Sequence, residues 1–211
     1  MRIFVKMFLC SVLFFGFALQ ARASEATYRN LPANYRLSLY GGPFLPSGSY
    51  EEPGYSEFKY KSGFTSGIDF TYFLNENIGL GGFLEFNSFS TEEKIAGGDS
   101  LNLSVLSVIL GISGTMRANL YKNFWFFSGV RAGYSLNSLE GEGYRGGIVP
   151  INEDTSGTAL AFSLQEGVIC MINSWDIGLL FRYTVIEQGV RGASKTDLGG
   201  ASLLVTVGYN F

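Results

Sequence analysis

The chain has 211 residues, of which 46% are hydrophobic and 16% charged, and its formal net charge at pH 7 is -3. It contains no histidine, which excludes Ser-His and Cys-His activation of a nucleophile and removes the commonest side-chain ligand of transition metals. Nucleic acid is not an expected partner, because its phosphate backbone calls for clustered Lys and Arg and no such cluster is present.

The first segment has the layout of a secretory signal peptide. Arg2 and Lys6 precede an apolar run from Met7 to Leu19, and Ala21-Arg22-Ala23 stands before Ser24. A positive start, an apolar middle and small residues at the end are the three parts of a cleavable signal. The apolar run is shorter than the ~20 residues that a membrane-spanning helix needs. We therefore predict cleavage after Ala23.

The domain boundaries follow from that cleavage: a signal peptide over 1–23 and a single mature domain over 24–211. Removal of Arg2, Lys6 and Arg22 takes the net charge from -3 to -6. The mature chain of 188 residues (211 minus 23) keeps one cysteine, Cys170, so an intramolecular disulfide is impossible.

Apolar and polar residues alternate with a period of two through most of the mature chain, and no long stretch has a 3.6-residue apolar repeat. This pattern predicts strands rather than helices. An even number of strands is typical of an all-β, eight-stranded, antiparallel, up-and-down transmembrane β-barrel. The eight predicted strands are 34–42, 62–73, 77–89, 101–119, 123–136, 157–172, 175–186 and 198–211.

Connections between these strands alternate between short and long, as they do in outer-membrane barrels with short periplasmic turns and longer external loops. The long connections are rich in Gly, Ser and acidic residues. The predicted short turns are 74–76, 120–122 and 173–174, and the predicted external loops are 43–61, 90–100, 137–156 and 187–197.

A soluble secreted barrel of the lipocalin type is the alternative architecture, because it also has eight antiparallel strands. A soluble barrel would carry many charged residues on its outer face. Here the polar face of the strands is mostly Gly, Ser, Thr and Asn, while the other face is Phe, Leu, Ile, Val and Tyr. This division of residue types favours a barrel whose outer face contacts lipid.

Aromatic residues are predicted to gather near both strand ends, as in the interfacial girdles of membrane barrels. The expected members are Tyr72, Tyr121, Phe124, Trp125, Trp175, Tyr209 and Phe211 near the turns, and Phe64, Phe86, Tyr134 and Tyr183 near the loops.

The chain ends in LLVTVGYNF, with apolar residues at every second position before a terminal Phe: Leu203, Val205, Val207, Tyr209 and Phe211. With the stretches YFLNENIGLGGFLEF and FRYT, this ending resembles the small eight-stranded outer-membrane proteins of the OmpA membrane-domain, OmpX and OmpW type. The resemblance covers nearly all of the mature chain. It implies an integral place in a Gram-negative outer membrane, contact with its lipid and lipopolysaccharide, and recognition of the C-terminal residues by the outer-membrane assembly machinery.

The lumen of an eight-stranded barrel has room for side chains but not for an open pore. The polar face places five charged residues inward, and these must be paired because an isolated ion is costly in a low-dielectric interior. We expect a structural plug, with a proton or ion path or a switchable gate as the alternative. The predicted network is Arg36, Asp69, Glu85, Arg131 and Arg182.

One predicted strand departs from the pattern, because Glu166 falls on the apolar face with Leu164 and Val168. A carboxylate facing lipid is costly near the middle of the membrane. We therefore predict a β-bulge at 165–167 that turns Glu166 away from lipid; a register error of one residue is the alternative.

No catalytic, cofactor-binding or metal-binding residues are expected. An acidic pair for glycoside hydrolysis, or a Ca²⁺ site, is conceivable among Glu140, Glu142, Glu153 and Asp154, but acidic residues in a long loop are most often solvated. Cys170 lacks a partner base and is expected to be a packing residue.

The leading interpretation of function is therefore a non-enzymatic outer-membrane barrel whose surface-exposed loops serve structural, adhesion or interaction roles with host or environmental ligands. The alternatives are a narrow conduit for small or hydrophobic molecules, a soluble binding barrel and a histidine-independent hydrolase.

Overall fold

A computed structural model of the chain describes residues 35–50, 58–94, 100–145, 149–188 and 196–211. The predicted signal peptide and its cleavage site lie outside these residues.

Eleven strands form in the described residues, and eight of them build one barrel. The other three strands have two residues each. The barrel strands are β1 (Tyr35–Pro46), β4 (Gly63–Phe73), β5 (Ile78–Lys94), β6 (Ser100–Tyr121), β7 (Phe124–Arg145), β8 (Val149–Ile172), β9 (Trp175–Gln188) and β11 (Gly200–Asn210). The short strands are β2 (Ser49–Tyr50), β3 (Phe58–Lys59) and β10 (Thr196–Asp197).

The barrel closes because each of its strands pairs antiparallel with two others. The order is β9-β11-β1-β4-β5-β6-β7-β8, and β8 returns to β9. The predicted all-β, eight-stranded, up-and-down barrel is confirmed. Among the described residues, no helix is long and apolar enough to cross a membrane.

Two tight connections bring the chain back at the periplasmic end. The β6–β7 connection turns at Lys122 and Asn123, and the β8–β9 connection at Asn173 and Ser174. In each turn the first of the two central residues has a positive φ, 47° at Lys122 and 57° at Asn173, whereas the second does not, which is the sign pattern of a type II′ hairpin turn. The second turn lies at its predicted position, whereas the first lies nearer Asn123 than predicted.

Strand length divides the barrel into a low side and a tall side. Strands β1, β4 and β11 have 12, 11 and 11 residues, close to the ~9–11 residues that cross a bilayer at the usual tilt. Strands β6, β7 and β8 have 22, 22 and 24 residues. The pairing registers align the strands at the end where the tight turns lie, so the extra residues of the tall strands project at the opposite, external end.

The prediction that residues 137–156 form an external loop is therefore wrong. Strands β7 and β8 continue pairing in register from Asn137↔Gly157 to Arg145↔Val149. Polar and acidic residues interrupt the apolar alternation that marks a lipid-facing strand, but the backbone pairing continues past them. The apolar pattern therefore marked the end of the lipid band rather than the end of the strand.

The outward face of the barrel is apolar, and the inward face is mostly polar. Ile112 is 72% exposed and Leu110 is 65% exposed on the outside of β6, whereas Ser107 and Ser113 on the same strand are buried. A surface of this kind suits lipid and not water, which contradicts the soluble lipocalin-type barrel.

Aromatic side chains contact one another around the periplasmic end of the barrel. Tyr35 contacts Tyr72 and Phe211, with ring centroids 5.1 and 5.8 Å apart, and Trp175 contacts Tyr209 at 4.9 Å. Tyr121 and Phe124 are also exposed there, and Phe64, Phe86 and Tyr134 are exposed on the external side.

Trp125 does not join this girdle as predicted. It is only partly exposed and packs against the buried lumen cluster that contains Phe127, Ile169 and Met171. The reason is strand parity: Phe124 points outward, so its neighbour Trp125 points inward.

The predicted β-bulge at 165–167 is also wrong. Glu166 pairs in unbroken register with Ser128 on β7 and Phe181 on β9, and it lies on the outward face, half-buried. A bulge would leave backbone groups without ladder partners inside the membrane, which costs several kcal/mol per group. Continuous pairing on both sides of β8 therefore prevails over the cost of one outward carboxylate.

The membrane-embedded part of β6 is open to a paired test. Ile112→Arg puts a charge at the middle of the outward run from Leu106 to Leu120 and should lower the free energy of unfolding by about 2–4 kcal/mol. Ser104→Arg, outward on the same strand but above the membrane, should change it by less than about 1 kcal/mol. Urea titration in phospholipid vesicles, followed by the heat-dependent gel shift, measures both. Equal losses would contradict the assigned bilayer position.

Candidate functional site

The centre of the lumen holds an ion cluster to which six of the eight barrel strands contribute charged groups or hydrogen-bonding partners. Alternation along each strand directs these side chains inward, and every one of them is at most 7% exposed. The members are Tyr40 on β1, Asp69 on β4, Glu85 on β5, Arg131 on β7, Gln165 on β8 and Arg182 on β9.

Glu85 is the hub of this ion cluster. Its Oε2 accepts hydrogen bonds from Arg131 Nη1 at 2.7 Å, from Tyr40 Oη at 3.0 Å and from Arg182 Nη1. Its other oxygen, Oε1, accepts from Asn87 Nδ2 at 3.2 Å. One carboxylate thus gathers groups from four strands.

Each arginine of the ion cluster has further partners. Arg131 Nη2 donates to Asp69 Oδ1 at 3.2 Å and to Tyr40 Oη at 2.8 Å, and its guanidinium carbon lies 3.5 Å from the ring centroid of Phe83. Arg182 donates through Nε and Nη2 to Gln165 Oε1, at 3.1 and 2.8 Å. With two arginines and two carboxylates, the cluster is electrically balanced, as buried charges require.

Arg36 was predicted to share this network, but it lies nearer the periplasmic end. Its Nε and Nη2 bind the two carboxylate oxygens of Asp176 at 2.8 and 2.6 Å, and Asn210 Nδ2 donates to Asp176 Oδ2 at 2.9 Å. Four of the five predicted charges therefore meet, and the fifth forms a separate bidentate pair.

Sequence reasoning missed Asp176 and Arg117. Asp176 shares its strand parity with Arg182, and Arg117 shares its parity with the buried residues Ser113 and Thr115, so continuing the alternation to the strand ends would have found both. Arg117 lies with its guanidinium carbon 3.6 Å from the ring centroid of Phe73 and donates from Nε to the Glu76 carbonyl at 2.9 Å.

The external half of the lumen is filled differently. A polar layer comes first, in which Ser107 and Ser135 share a hydrogen bond of 2.7 Å. Apolar side chains follow towards the outside, and Phe89 contacts Phe44 and Tyr60 at centroid distances of 5.3 and 5.0 Å. The buried cluster is Phe44, Tyr60, Phe83, Phe89, Val105, Ile109, Leu139, Ala159, Ala161, Ile186 and Leu198.

Side chains thus fill the described lumen from the Arg36–Asp176 pair to this apolar cluster. Within the described part of the chain, no group of three or more acidic or cysteine residues could hold a metal ion. Cys170 is partly exposed on the outward side of β8, next to Val168 and Ile172. Of the acidic residues considered for hydrolysis or Ca²⁺, Glu140 is exposed to solvent, and the side chains of Glu142, Glu153 and Asp154 lie outside the described set.

An apolar outer face, a closed ring of eight strands and a lumen packed with paired charges define an integral outer-membrane β-barrel. Residues 8–211 match the family model described as the outer membrane protein beta-barrel domain. The chain belongs to this family, and the predicted resemblance and outer-membrane location are confirmed.

Solved structures of small outer-membrane barrels are similar to this chain. Neisserial surface protein A is 16% identical, with 84% of this chain and 96% of that chain covered and a TM-score of 0.48. Ail, the attachment invasion locus protein of Yersinia pestis, is 19% identical, with coverages of 85% and 100% and a TM-score of 0.44. OprG from Pseudomonas aeruginosa is 14% identical, with coverages of 85% and 97% and a TM-score of 0.49.

At such identities the likeness concerns the fold alone. A comparison with curated protein sequences found no match.

The ion cluster generates a stability prediction. Glu85→Gln leaves Arg131 and Arg182 short of a negative charge inside the barrel, and we expect it to lower the free energy of unfolding by about 3–5 kcal/mol. Glu140→Gln removes an exposed carboxylate and should change it by no more than about 0.5 kcal/mol. Urea unfolding in vesicles measures both, and a Glu85→Gln barrel as stable as the control would show that the cluster contributes little to folding.

Proposed function

We propose that this protein is a non-enzymatic outer-membrane scaffold that binds host or environmental ligands through its external strands and loops. The observation that carries the proposal is the contrast between the two ends of the tall strands. Inside the membrane they enclose a lumen filled with side chains, and outside it they continue as a paired sheet. A rigid frame that displays variable external segments is a common arrangement for recognition.

A catalytic role is not proposed. The chain has no histidine, and the buried carboxylates Asp69, Glu85 and Asp176 are each held by arginine. Carboxylates engaged in this way are poor candidates for a general acid or base facing a substrate. We propose no cofactor and no metal.

The C-terminal residues are proposed to guide assembly. All five residues are exposed on the outside of the barrel, Leu203, Val205, Val207 and Tyr209 on the last strand and Phe211 just after it, so an assembly factor could bind their side chains before the barrel closes. The same outward band is proposed to contact membrane lipid and lipopolysaccharide, and residues 1–23 are proposed to direct export.

A hairpin excision tests the binding function. Glu140 pairs with Asp154, so replacing 140–154 by Asn-Gly joins Leu139 and Thr155 through a two-residue turn that suits a hairpin. Cells displaying the full barrel should adhere to immobilised fibronectin, laminin, heparin or serum proteins at least fivefold better than cells displaying the shortened barrel.

The control is the heat-dependent gel shift, which reports whether each barrel is folded. The full and the shortened barrels must show the same shift, so that a difference in adherence can be attributed to the hairpin. Equal adherence by two folded barrels, on every surface where the full barrel adheres, would count against the proposal, as would an absence of adherence to all of them.

A narrow conduit for small hydrophobic molecules is the second candidate. The apolar cluster of Phe44, Phe89, Val105, Leu139 and Ile186 at the external end of the lumen favours it. The ion cluster beneath it opposes passage, and β8 and β9 pair in continuous register from Ala161 to Ile172, without a lateral gap.

Planar bilayers and substrate-loaded vesicles test the conduit. We expect no conductance steps from the purified barrel at neutral pH, because paired charges fill the lumen. We also expect no faster entry of a small hydrophobic dye than into protein-free vesicles. Sustained conductance steps, or dye entry that depends on the protein, would favour the conduit over the scaffold.

A further inference from the structure

Arg117 is a buried arginine at the periplasmic end of the lumen that has no anionic partner. It lies near the end of β6, on the inward face, and only 3% of its surface is exposed. Among the described residues it forms no ion pair, whereas the other three buried arginines, Arg36, Arg131 and Arg182, each bind a carboxylate. The pairing that holds the other arginines in the lumen therefore does not account for this one.

The buried charges of the described lumen do not balance. Four arginines and three carboxylates point inward, which leaves one positive charge in excess. The carboxylates are those of Asp69, Glu85 and Asp176, and each is already bound by another arginine. A buried charge without a counter-ion is costly, so the lumen lacks a single negative charge.

The Arg117 guanidinium is held along one edge and on one face. Its Nε donates to the Glu76 carbonyl at 2.9 Å, and the Arg117 backbone N–H donates to the Asn77 carbonyl at 2.8 Å, both in the β4–β5 turn. Its central carbon lies 3.6 Å from the ring centroid of Phe73 and 5.6 Å from that of Trp125. Because the donors of a guanidinium lie in its plane, stacking on a ring leaves them free to bind.

The far end of the guanidinium carries the unused donors. Nη1 is buried without a hydrogen-bond partner, and Nη2 donates no hydrogen bond to any residue that the structure describes. A buried donor without an acceptor is costly, and two parallel N–H groups match the two oxygens of a carboxylate. Arg36, at the same end of the lumen, binds both oxygens of Asp176 in this way, at 2.8 and 2.6 Å.

A carboxylate fits these donors better than a phosphate does. The lumen lacks only one negative charge, and Asp176 is near enough to Arg117 to interact with it electrostatically, so a doubly charged phosphate would be repelled. Phe73 and Trp125 beside the guanidinium are aromatic. Walls of this kind suit a ligand that has apolar carbon atoms next to its carboxylate.

Two sources can supply a carboxylate at this end of the barrel. One is a free carboxylate in the periplasm. The other is Glu25, the single acidic residue of segment 24–34, which precedes β1. Tyr35, the first residue of β1, exchanges backbone hydrogen bonds with Phe211 at the periplasmic end, so this segment joins the barrel at the same end as Arg117.

We propose that the Arg117 guanidinium binds one carboxylate at the periplasmic end of the lumen, through Nη1 and Nη2 and beside the rings of Phe73 and Trp125. A bound carboxylate neutralises the described lumen and satisfies the buried Nη1 donor. The site lies at the opposite end of the barrel from the external surface of the proposed function, so either can fail without the other.

Trp125 is the reporter for the test. The chain has two tryptophans, so Trp175→Phe leaves Trp125 as the tryptophan that emits. The mature barrel with this substitution, in nanodiscs, is titrated with sodium propionate at constant ionic strength, and with inorganic phosphate and chloride in parallel. We expect a saturable fluorescence change with propionate, at an affinity at least roughly tenfold higher than for either of the other anions.

Charge-matched variants locate the binding. Arg117→Gln and Lys122→Gln each remove one positive charge at the periplasmic end, but Lys122 lies in the exposed β6–β7 turn. We expect Arg117→Gln to weaken propionate binding at least about tenfold, and Lys122→Gln to weaken it less than about twofold. Arg117→Lys keeps the charge but loses the planar pair of donors, and should weaken binding at least about fivefold.

The heat-dependent gel shift shows whether each variant is folded. If Arg117→Gln does not fold, Arg117→Lys replaces it in the comparison with Lys122→Gln.

Glu25→Gln distinguishes the two sources of the carboxylate. Propionate binding that becomes at least about fivefold tighter in this variant would identify Glu25 as the occupant, because an intramolecular ligand competes at high effective concentration. Unchanged binding would identify a free carboxylate. The inference is overturned by the absence of a saturable change in both chains, by equal affinity for the three anions, or by equal propionate binding of the Arg117 variant and the Lys122 variant.

Discussion

The need to satisfy every backbone hydrogen bond inside lipid is the constraint from which the rest of this structure follows. With no water in the bilayer core, an unpaired N–H or C=O costs several kcal/mol, so strands must close into a ring. The ring here is complete at membrane height, including the β8–β9 pairing from Ala161 to Ile172. The same constraint explains why Glu166 stays in a regular strand.

Closure with eight strands determines the interior. A ring of this size is just wide enough for side chains, so the polar inward face cannot be left hydrated and its charges must pair. Glu85 satisfies two arginines at once, and Asp176 satisfies Arg36 from the periplasmic side. Beyond the filled lumen, β6, β7 and β8 continue as a paired sheet towards the external side.

Strand parity made much of the lumen predictable. Asp69, Glu85, Arg131 and Arg182 are polar residues on the inward parity of apolar strands, and the structure brings them together. Strand parity also directs Phe124 outward and Trp125 inward. The girdle prediction included both residues because it considered only their aromatic composition. Tyr40 was not foreseen, because a tyrosine on the inward face resembles any other aromatic residue until its hydroxyl is found between Glu85 and Arg131. The partner of Arg36 depends on how far neighbouring strands are shifted along each other, which no single strand reveals.

The amino-acid sequence by itself determined the class of protein: alternation identified the strands and their two faces, and the composition of those faces identified lipid as the outer solvent. Tertiary structure alone decided the heights of the strands and the division of the charges into a central cluster and a periplasmic pair. The physical reason is that side-chain alternation depends on each strand's own environment, whereas register, shear and strand ends depend on pairing between segments far apart in the chain. Beyond the lipid-facing band, the apolar alternation stops although the pairing of β7 with β8 continues.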